Sequence, residues 1–427
     1  MKRRQFIQTA SATSALGAVG LMSGCASIGG ANGPKVVVVG GGYGGATAAK
    51  YVRMWSDYGI QVTLIEPNAS FISCPISNLV IGGSKTMADI TTSYDNLVKR
   101  HGVNLIKDYV TQIDPDKRVV KLAGGSEVPY DRLILSPGVD FMFDALPGLQ
   151  KSGAQDKVLH AWKAGAQTVA LRKQLEAMPD GGVYALSIPL APYRCPPGPY
   201  ERACQVAEYF SKAKPKSKVL ILDANDDVTS KGPLFKKAWA ERYKGIVEYR
   251  GKHNATDVDA TTNTLKFEFN DDVKANVLNV IPPMRAGDIA VKSGLATANK
   301  RWCEVDFLTF ESKAAKNIHV LGDSIQIAPA MPKSGHMANQ HGKTCAAAVV
   351  ALLTGKEPNK LPIYNNTCYS FVSSEDVVHV ASVHAYNADK KTMLTVPGSG
   401  GVSSAANELE GRYALAWARN IWADTLA

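Results

Sequence analysis

The chain is poor in the features that mark several functional classes. Beyond its first few dozen residues, none of its 427 residues belong to an apolar run approaching the ~20 needed to cross a bilayer, so no transmembrane segment is expected there. No CxxC spacing occurs, which removes the common zinc and thioredoxin-like motifs. No CxxCH occurs either, so the chain carries no c-type haem attachment of its own. The formal charge of +10 includes Lys2, Arg3 and Arg4, and the remaining excess is scattered without an aromatic-interleaved basic patch. That distribution argues against nucleic acid as a partner and reads as a solvated surface. His336 and His341 are five residues apart and so do not share a helix face, which argues against a metal pair.

The leader is distinctive. Lys2-Arg3-Arg4-Gln5-Phe6 supplies twin arginines, and an apolar, small-residue run follows from about Ala10 to Leu21. Residues 1–32 therefore read as a Tat-type signal peptide with a periplasmic destination. Cys25, in Leu21-Met22-Ser23-Gly24-Cys25, leaves lipidation open. The six later cysteines, Cys74, Cys195, Cys204, Cys303, Cys345 and Cys368, are spaced too widely and irregularly for a disulfide-stapled mini-fold.

Val36 to Val39 is an unbroken β-branched run, as a buried parallel strand requires. Gly40, Gly42 and Gly45 complete a GxGxxG turn, a helix is expected over about 46–56, and a second strand over 61–65 ends at Glu66, 21 residues past Gly45. In this order the glycines let a pyrophosphate approach a helix N-terminus, and the acid reaches ribose hydroxyls. Adenine-dinucleotide binding is the expected function of residues 33–146. A strand ending at Ser136-Pro137-Gly138, another at Asn317 to Asp323 and a helix over about 334–353 place residues 288–358 in the same domain. Between them, residues 147–287 form a second βαβ unit from Gly181–Pro189, a helix near 200–212 and Lys218–Asp223. Residues 359–427 form a separate C-terminal α+β domain with a closing helix near 408–426.

The second unit lacks what the first has. Its turn reads Ile188-Pro189-Leu190-Ala191-Pro192 where a pyrophosphate site needs glycines, and prolines neither donate nor adapt their φ. Cys195 follows on this proline-rich turn ahead of a helix. Two readings stand: a redox cysteine facing the first domain's cofactor, or a structural thiol or ordinary disulfide.

Taken together, Gly40 to Gly45, Glu66, Ser73-Cys74-Pro75-Ile76-Ser77-Asn78, Cys195-Pro196-Pro197-Gly198-Pro199-Tyr200-Glu201, Gly322-Asp323, Met331-Pro332-Lys333-Ser334-Gly335 and Asn366-Thr367-Cys368-Tyr369-Ser370 make the chain similar to the flavoprotein subunit of flavocytochrome c sulfide dehydrogenase. The resemblance covers essentially the whole chain. It implies an α/β, glutathione-reductase-like flavoprotein with one FAD domain and a degenerate second nucleotide domain. It also implies FAD attached covalently through Cys74, a redox-active disulfide between Cys195 and Cys368, and Asp323 on the ribitol chain. Lys333 and the helix after it would face the flavin's pyrimidine ring. Glu201 is a candidate proton carrier, and equally an ordinary helix N-terminal acid. The implied activity is periplasmic oxidation of sulfide to polysulfide or elemental sulfur, with electrons passed to a c-type cytochrome whose haem lies on a partner chain. The alternatives are a sulfide:quinone oxidoreductase with membrane-dipping C-terminal helices, and a noncatalytic FAD electron-transfer partner in sulfur metabolism. An NAD(P)H-dependent reductase is disfavoured by the missing second fingerprint.

Overall fold

The structure is a computed structural model that describes residues 33–427. The twin-arginine leader and Cys25 lie outside the described residues. Five parallel strands form the first sheet in the order Ile318–Val320, Arg132–Leu135, Lys35–Val39, Gln61–Ile65 and Asn104–Ile106. The far segment thus returns to complete the sheet that the first hundred residues begin. Val36 to Val39 are buried on both faces, which is why their sequence is continuously apolar and not alternating. The helix Tyr43–Trp55 starts three residues earlier than expected, directly at the glycine turn. Gly40 occupies φ +96°, and a Cβ there would meet the Ser136 carbonyl at 2.3 Å, so the turn admits no other residue.

A second parallel sheet has the order Val247–Arg250, Lys218–Asp223, Val183–Ile188, Val277–Val280. The helix Gly198–Ala213 follows the proline-rich turn, with Pro197 and Pro199 at its start, where a missing N–H costs nothing. The unit keeps the architecture of a nucleotide-binding fold while its leading turn carries Cys195.

The C-terminal strands Ile363–Phe371, Val377–Asn387 and Thr392–Thr395 pair antiparallel. The last helix, Glu408–Leu426, is capped by Asn407, whose side chain accepts from Glu410 N at 2.9 Å. It folds back onto the first domain, not away from it. Asp424 accepts from Tyr51 Oη at 2.5 Å and Asn339 Nδ2 at 2.7 Å and pairs with Lys343 at 2.8 Å. Lys50 Nζ donates to the carbonyls of Ala423 and Asp424 at 3.1 and 3.0 Å. Ala414, Ala418, Ile421 and Leu426 are buried. The helix is therefore committed to the protein's own core on that face, and among the described residues no helix is long and apolar enough to cross a membrane.

Candidate active site

All three domains meet around one cavity. The first domain contributes Gly42, Glu66, Cys74 and Asp323, the second Cys195 and Glu201, and the third Cys368 and Trp417.

At the dinucleotide end, the Glu66 carboxylate accepts from Gly41 N at 2.7 Å, from Asn68 N at 2.9 Å and from Asn68 Nδ2 at 2.6 Å. Three of its roughly four lone-pair positions are used, which orients the group and leaves capacity for a ribose hydroxyl. Gly42 lines the cavity, and a Cβ there would meet nothing within 4 Å. The space beside this helix N-terminus is thus open to a phosphate. Farther in, Asp323 Oδ1 is buried without a hydrogen-bond partner, and burial raises its carboxyl pKa. A buried acceptor left unpaired is costly, and a ribitol hydroxyl would satisfy it. These features fit FAD: an open phosphate position, a ribose acceptor and an orphaned acid aligned along one cavity.

Lys333 is placed differently from Asp323. Its ammonium does not border the cavity. It donates to the carbonyls of Asp323 and Ile325 at 2.8 and 2.6 Å and lies 3.6 Å from the centroid of the Trp302 ring. Burial, only partly offset by Asp323, brings its pKa down to about 7. What reaches the cavity is the N-terminus of the helix Gly335–Leu353, with Gly335 and His336 at its mouth. The partial positive charge expected near the flavin therefore comes from backbone N–H groups. Lys333 braces the loop behind them: its own carbonyl accepts from Cys195 N at 2.8 Å.

Cys195 is held in the left-handed region at φ +58°. Its carbonyl accepts from Gly198 N at 2.9 Å, and a Cβ on Gly198 would come within 2.8 Å of its Sγ. The glycine of the Pro-Pro-Gly-Pro run is thus what leaves room for the thiol. Cys368 borders the same cavity from the strand Ile363–Phe371. Its Sγ accepts from Asn366 Nδ2 at 3.4 Å, and Asn366 Oδ1 is held by Ser334 Oγ at 2.6 Å. Both residues are half-buried and stand as free thiols. Burial pushes both thiols up, and each is influenced electrostatically by Glu201 and Lys231. The two thiols thus line the same cavity and influence each other electrostatically.

Glu201 is buried in the first turn of the helix Gly198–Ala213. One carboxylate oxygen accepts from Phe371 N at 2.9 Å, the other from Asn78 Nδ2 at 2.7 Å. Burial raises its pKa, opposed by those two hydrogen bonds. It borders the cavity as an acid poised to hold a proton, and it also ties the second domain to the C-terminal sheet. It is thus a helix N-terminal acid that also borders the cavity.

Cys74 follows the second strand of the first domain and reaches the cavity, where its Sγ accepts weakly from Ala164 N at 3.5 Å. Asn78, four residues on, is a junction that sequence reasoning missed. Besides Glu201, its amide donates to the Gly198 carbonyl at 3.1 Å and its oxygen accepts from Arg202 Nε at 3.0 Å. Arg202 is 1% exposed and also donates to the carbonyls of His160 and Ala161 and to Asn279 Oδ1, at 2.9, 2.6 and 2.9 Å. This network locks the Cys74 segment to the Cys195 helix. Lys231, also unforeseen, sits behind Cys368. Cys204, Cys303 and Cys345 are buried away from the cavity, and among the described residues no cluster of potential metal ligands occurs.

Comparison with known proteins matches three family descriptions along the chain. Residues 34–177 match the pyridine nucleotide-disulphide oxidoreductases. Residues 168–282 match the central part of the sulfide dehydrogenase (flavocytochrome c) flavoprotein chain, and residues 360–426 match the flavocytochrome c sulphide dehydrogenase flavin-binding region. The mitochondrial sulfide:quinone oxidoreductase of Mus musculus is 27% identical over 324 residues, covering 72% of this chain and 69% of that protein. The sulfide dehydrogenase (flavocytochrome c) flavoprotein chain of Chlorobaculum thiosulfatiphilum is 59% identical over 46 residues, 11% of this chain and 94% of that sequence. The solved sulfide:quinone oxidoreductase of Aquifex aeolicus superposes with a TM-score of 0.76 at 18% identity, over 92% of this chain and 91% of that one.

Proposed function

We propose that the chain is a FAD-dependent sulfide dehydrogenase of the sulfide:quinone oxidoreductase and flavocytochrome c type, a reading supported by the matched family descriptions, and that it oxidises hydrosulfide through a Cys195–Cys368 disulfide and delivers the electrons to a c-type cytochrome in the periplasm. The observation that carries this reading is the meeting of Cys195, Cys368 and Glu201 on the cavity that also holds the FAD determinants.

Hydrosulfide attacks Cys195 Sγ of the disulfide. The S–S bond to Cys368 breaks as the new one forms, giving a persulfide on Cys195 and a thiolate on Cys368. Attack by a second hydrosulfide on the outer sulfur releases a disulfane and leaves Cys195 as its thiolate. Glu201, whose raised pKa lets it carry a proton at this depth, exchanges that proton with the thiolates. FAD, when bound, supplies the acceptor for the two electrons given up as the dithiol re-forms its disulfide, and it can return them one at a time. Cys74, which lines the cavity, would hold the cofactor, in this proposal through a thioether.

Several features support the cytochrome as acceptor: the flavocytochrome family descriptions over residues 168–282 and 360–426, the last helix docked on the first domain, and the twin-arginine leader. The missing CxxCH agrees with a haem carried by a partner chain. One observation favours a quinone acceptor instead: the relative matched over 72% of this chain is named a sulfide:quinone oxidoreductase.

The test is an anaerobic absorbance titration of FAD-loaded protein with sulfide, followed by oxidised cytochrome c or a soluble quinone in parallel. Bleaching of the flavin band with rapid recovery on cytochrome c is expected. Recovery much faster with the quinone reverses the choice of acceptor, and no bleaching in protein with an intact disulfide overturns the cysteine scheme.

A further inference from the structure

Lys231 precedes the helix Gly232–Arg242 in the left-handed conformation, φ +57°, and is 7% exposed. Its ammonium leaves its own domain and enters the C-terminal sheet. There it donates to the Cys368 carbonyl at 2.8 Å, Ser370 Oγ at 2.7 Å and the Val378 carbonyl at 3.3 Å. These partners use all three ammonium donors, and none of them carries charge. A buried cation with only neutral acceptors is expensive unless an anion stands nearby. The titratable groups that influence it are Cys368, Glu201, Cys195 and Glu410. Two of these already have partners: Glu201 is held by Asn78 and Phe371 N, and Glu410 by Ser403 and His379. The thiols are the anions that remain to be formed.

We infer that Lys231 is a positioning residue for the two-cysteine centre, fixing the strand at Cys368 and supplying the positive charge against which the Cys368 thiolate forms when hydrosulfide opens the disulfide. The inference rests on the sulfide reading above. In that step HS⁻ and the disulfide become a Cys195 persulfide and a Cys368 thiolate, so one negative charge enters a buried site. The charge arrangement is asymmetric. At Cys368, Lys231 is the strongest influence opposing burial. At Cys195 it comes after Arg194, and both act against burial, Cys368 and Glu201. A lower-pKa thiol leaves faster, so Lys231 selects Cys368 as leaving group and Cys195 as the sulfur attacked. Burial brings Lys231 itself down to about 8, so the stabilising charge is present below that pH and lost above it.

The test follows alkylation of Cys368 by iodoacetamide in FAD-loaded Cys195→Ser protein, read on the Cys368 peptide by mass spectrometry from about pH 6 to about pH 10. Adding Lys231→Met should move the midpoint up by about one pH unit and slow alkylation about tenfold at neutral pH, while Lys231→Arg, which keeps a positive charge there, should not raise it. An unshifted midpoint in folded Lys231→Met protein overturns the inference. Should that variant fail to fold, Lys231→Arg still decides. Arginine keeps its charge, so the ratio of variant to parent alkylation rates should climb as the pH passes the lysine's titration, and a ratio constant with pH refutes the role. Alkylation uses no sulfide. A midpoint that follows Lys231 without sulfide bleaching of the wild type therefore overturns only the sulfide reading, whereas normal bleaching with an indifferent midpoint overturns only the role of Lys231.

Discussion

Acid should weaken this protein through His341, and the size of the effect follows from its surroundings. His341 lies in the helix Gly335–Leu353, the helix whose N-terminus reaches the active-site cavity. It is 2% exposed, neither ring nitrogen has a hydrogen-bond partner, and it packs 4.7 Å from the Phe310 ring and 5.4 Å from Tyr364. Burial, reinforced by the charges of Lys333 and His384, brings its pKa from 6.5 down to about 3. The folded state thus holds the ring neutral while the unfolded chain takes up a proton, so stability falls with pH across the window between those values. From about pH 7.5 to about pH 5 the loss from this one ring is about 2 kcal/mol. Replacing His341 with Phe forfeits no hydrogen bond and removes the titration. For a chain of this length the variant's melting temperature should fall about 2–3 °C less than the wild type's over that pH interval. A constant packing offset cancels in this double difference, as do other histidines with lowered pKa values, among them His160, His319 and His336 at about 3, 4 and 4. Thermal melts of both proteins at both pH values make the measurement. Equal losses in the two would refute the argument.

Three further outcomes are expected. Cys195→Ser and Cys368→Ser should each keep bound flavin yet lose its reduction by sulfide, read as flavin absorbance under anaerobic conditions, and normal bleaching in both would sink the disulfide scheme. Gly42→Val should fold with the wild-type apoprotein's melting temperature, because a Cβ there meets nothing within 4 Å, but lose FAD binding by at least about tenfold, since the new side chain occupies the phosphate position. Acid-precipitated wild-type protein should retain yellow flavin on the polypeptide while Cys74→Ala releases it to the supernatant; release from both would show that the cofactor is held noncovalently.

The parts of the structure legible in the sequence are those set by neighbours in the chain. The strand Lys35–Val39, its glycine turn and Glu66 announce themselves because strand, turn and helix follow each other within one βαβ unit. The second unit was legible for the same reason, and its prolines showed directly that the turn had lost its phosphate chemistry. Lys231, Asn78 and Arg202 gave no such signal. Lys231 reads as a turn residue before Gly232-Pro233, and its partners lie 137 to 147 residues away. Asn78 meets Glu201 and Arg202 across 123 and 124 residues. Their roles exist only once three domains have docked, and no local periodicity encodes that docking. Lys333 is a mixed case. The helix end expected to follow it does reach the cavity, while the ammonium itself turns onto backbone carbonyls.

The C-terminal segment also bears on when the protein becomes competent during its synthesis. Cys368, Tyr369 and Trp417 line the cavity together with Cys195 and Cys74, and the helix bearing Trp417 is fastened to the first domain through Asp424. A nascent chain that has made only the two nucleotide-type domains therefore has Cys195 without Cys368 and a crevice lacking part of its lining. Only the last strands and helix supply the second thiol and shut out solvent. A clipped or stalled product would keep its dinucleotide turn yet lack Cys368, so under the proposed two-cysteine scheme its failure to oxidise sulfide would report a missing C-terminal segment.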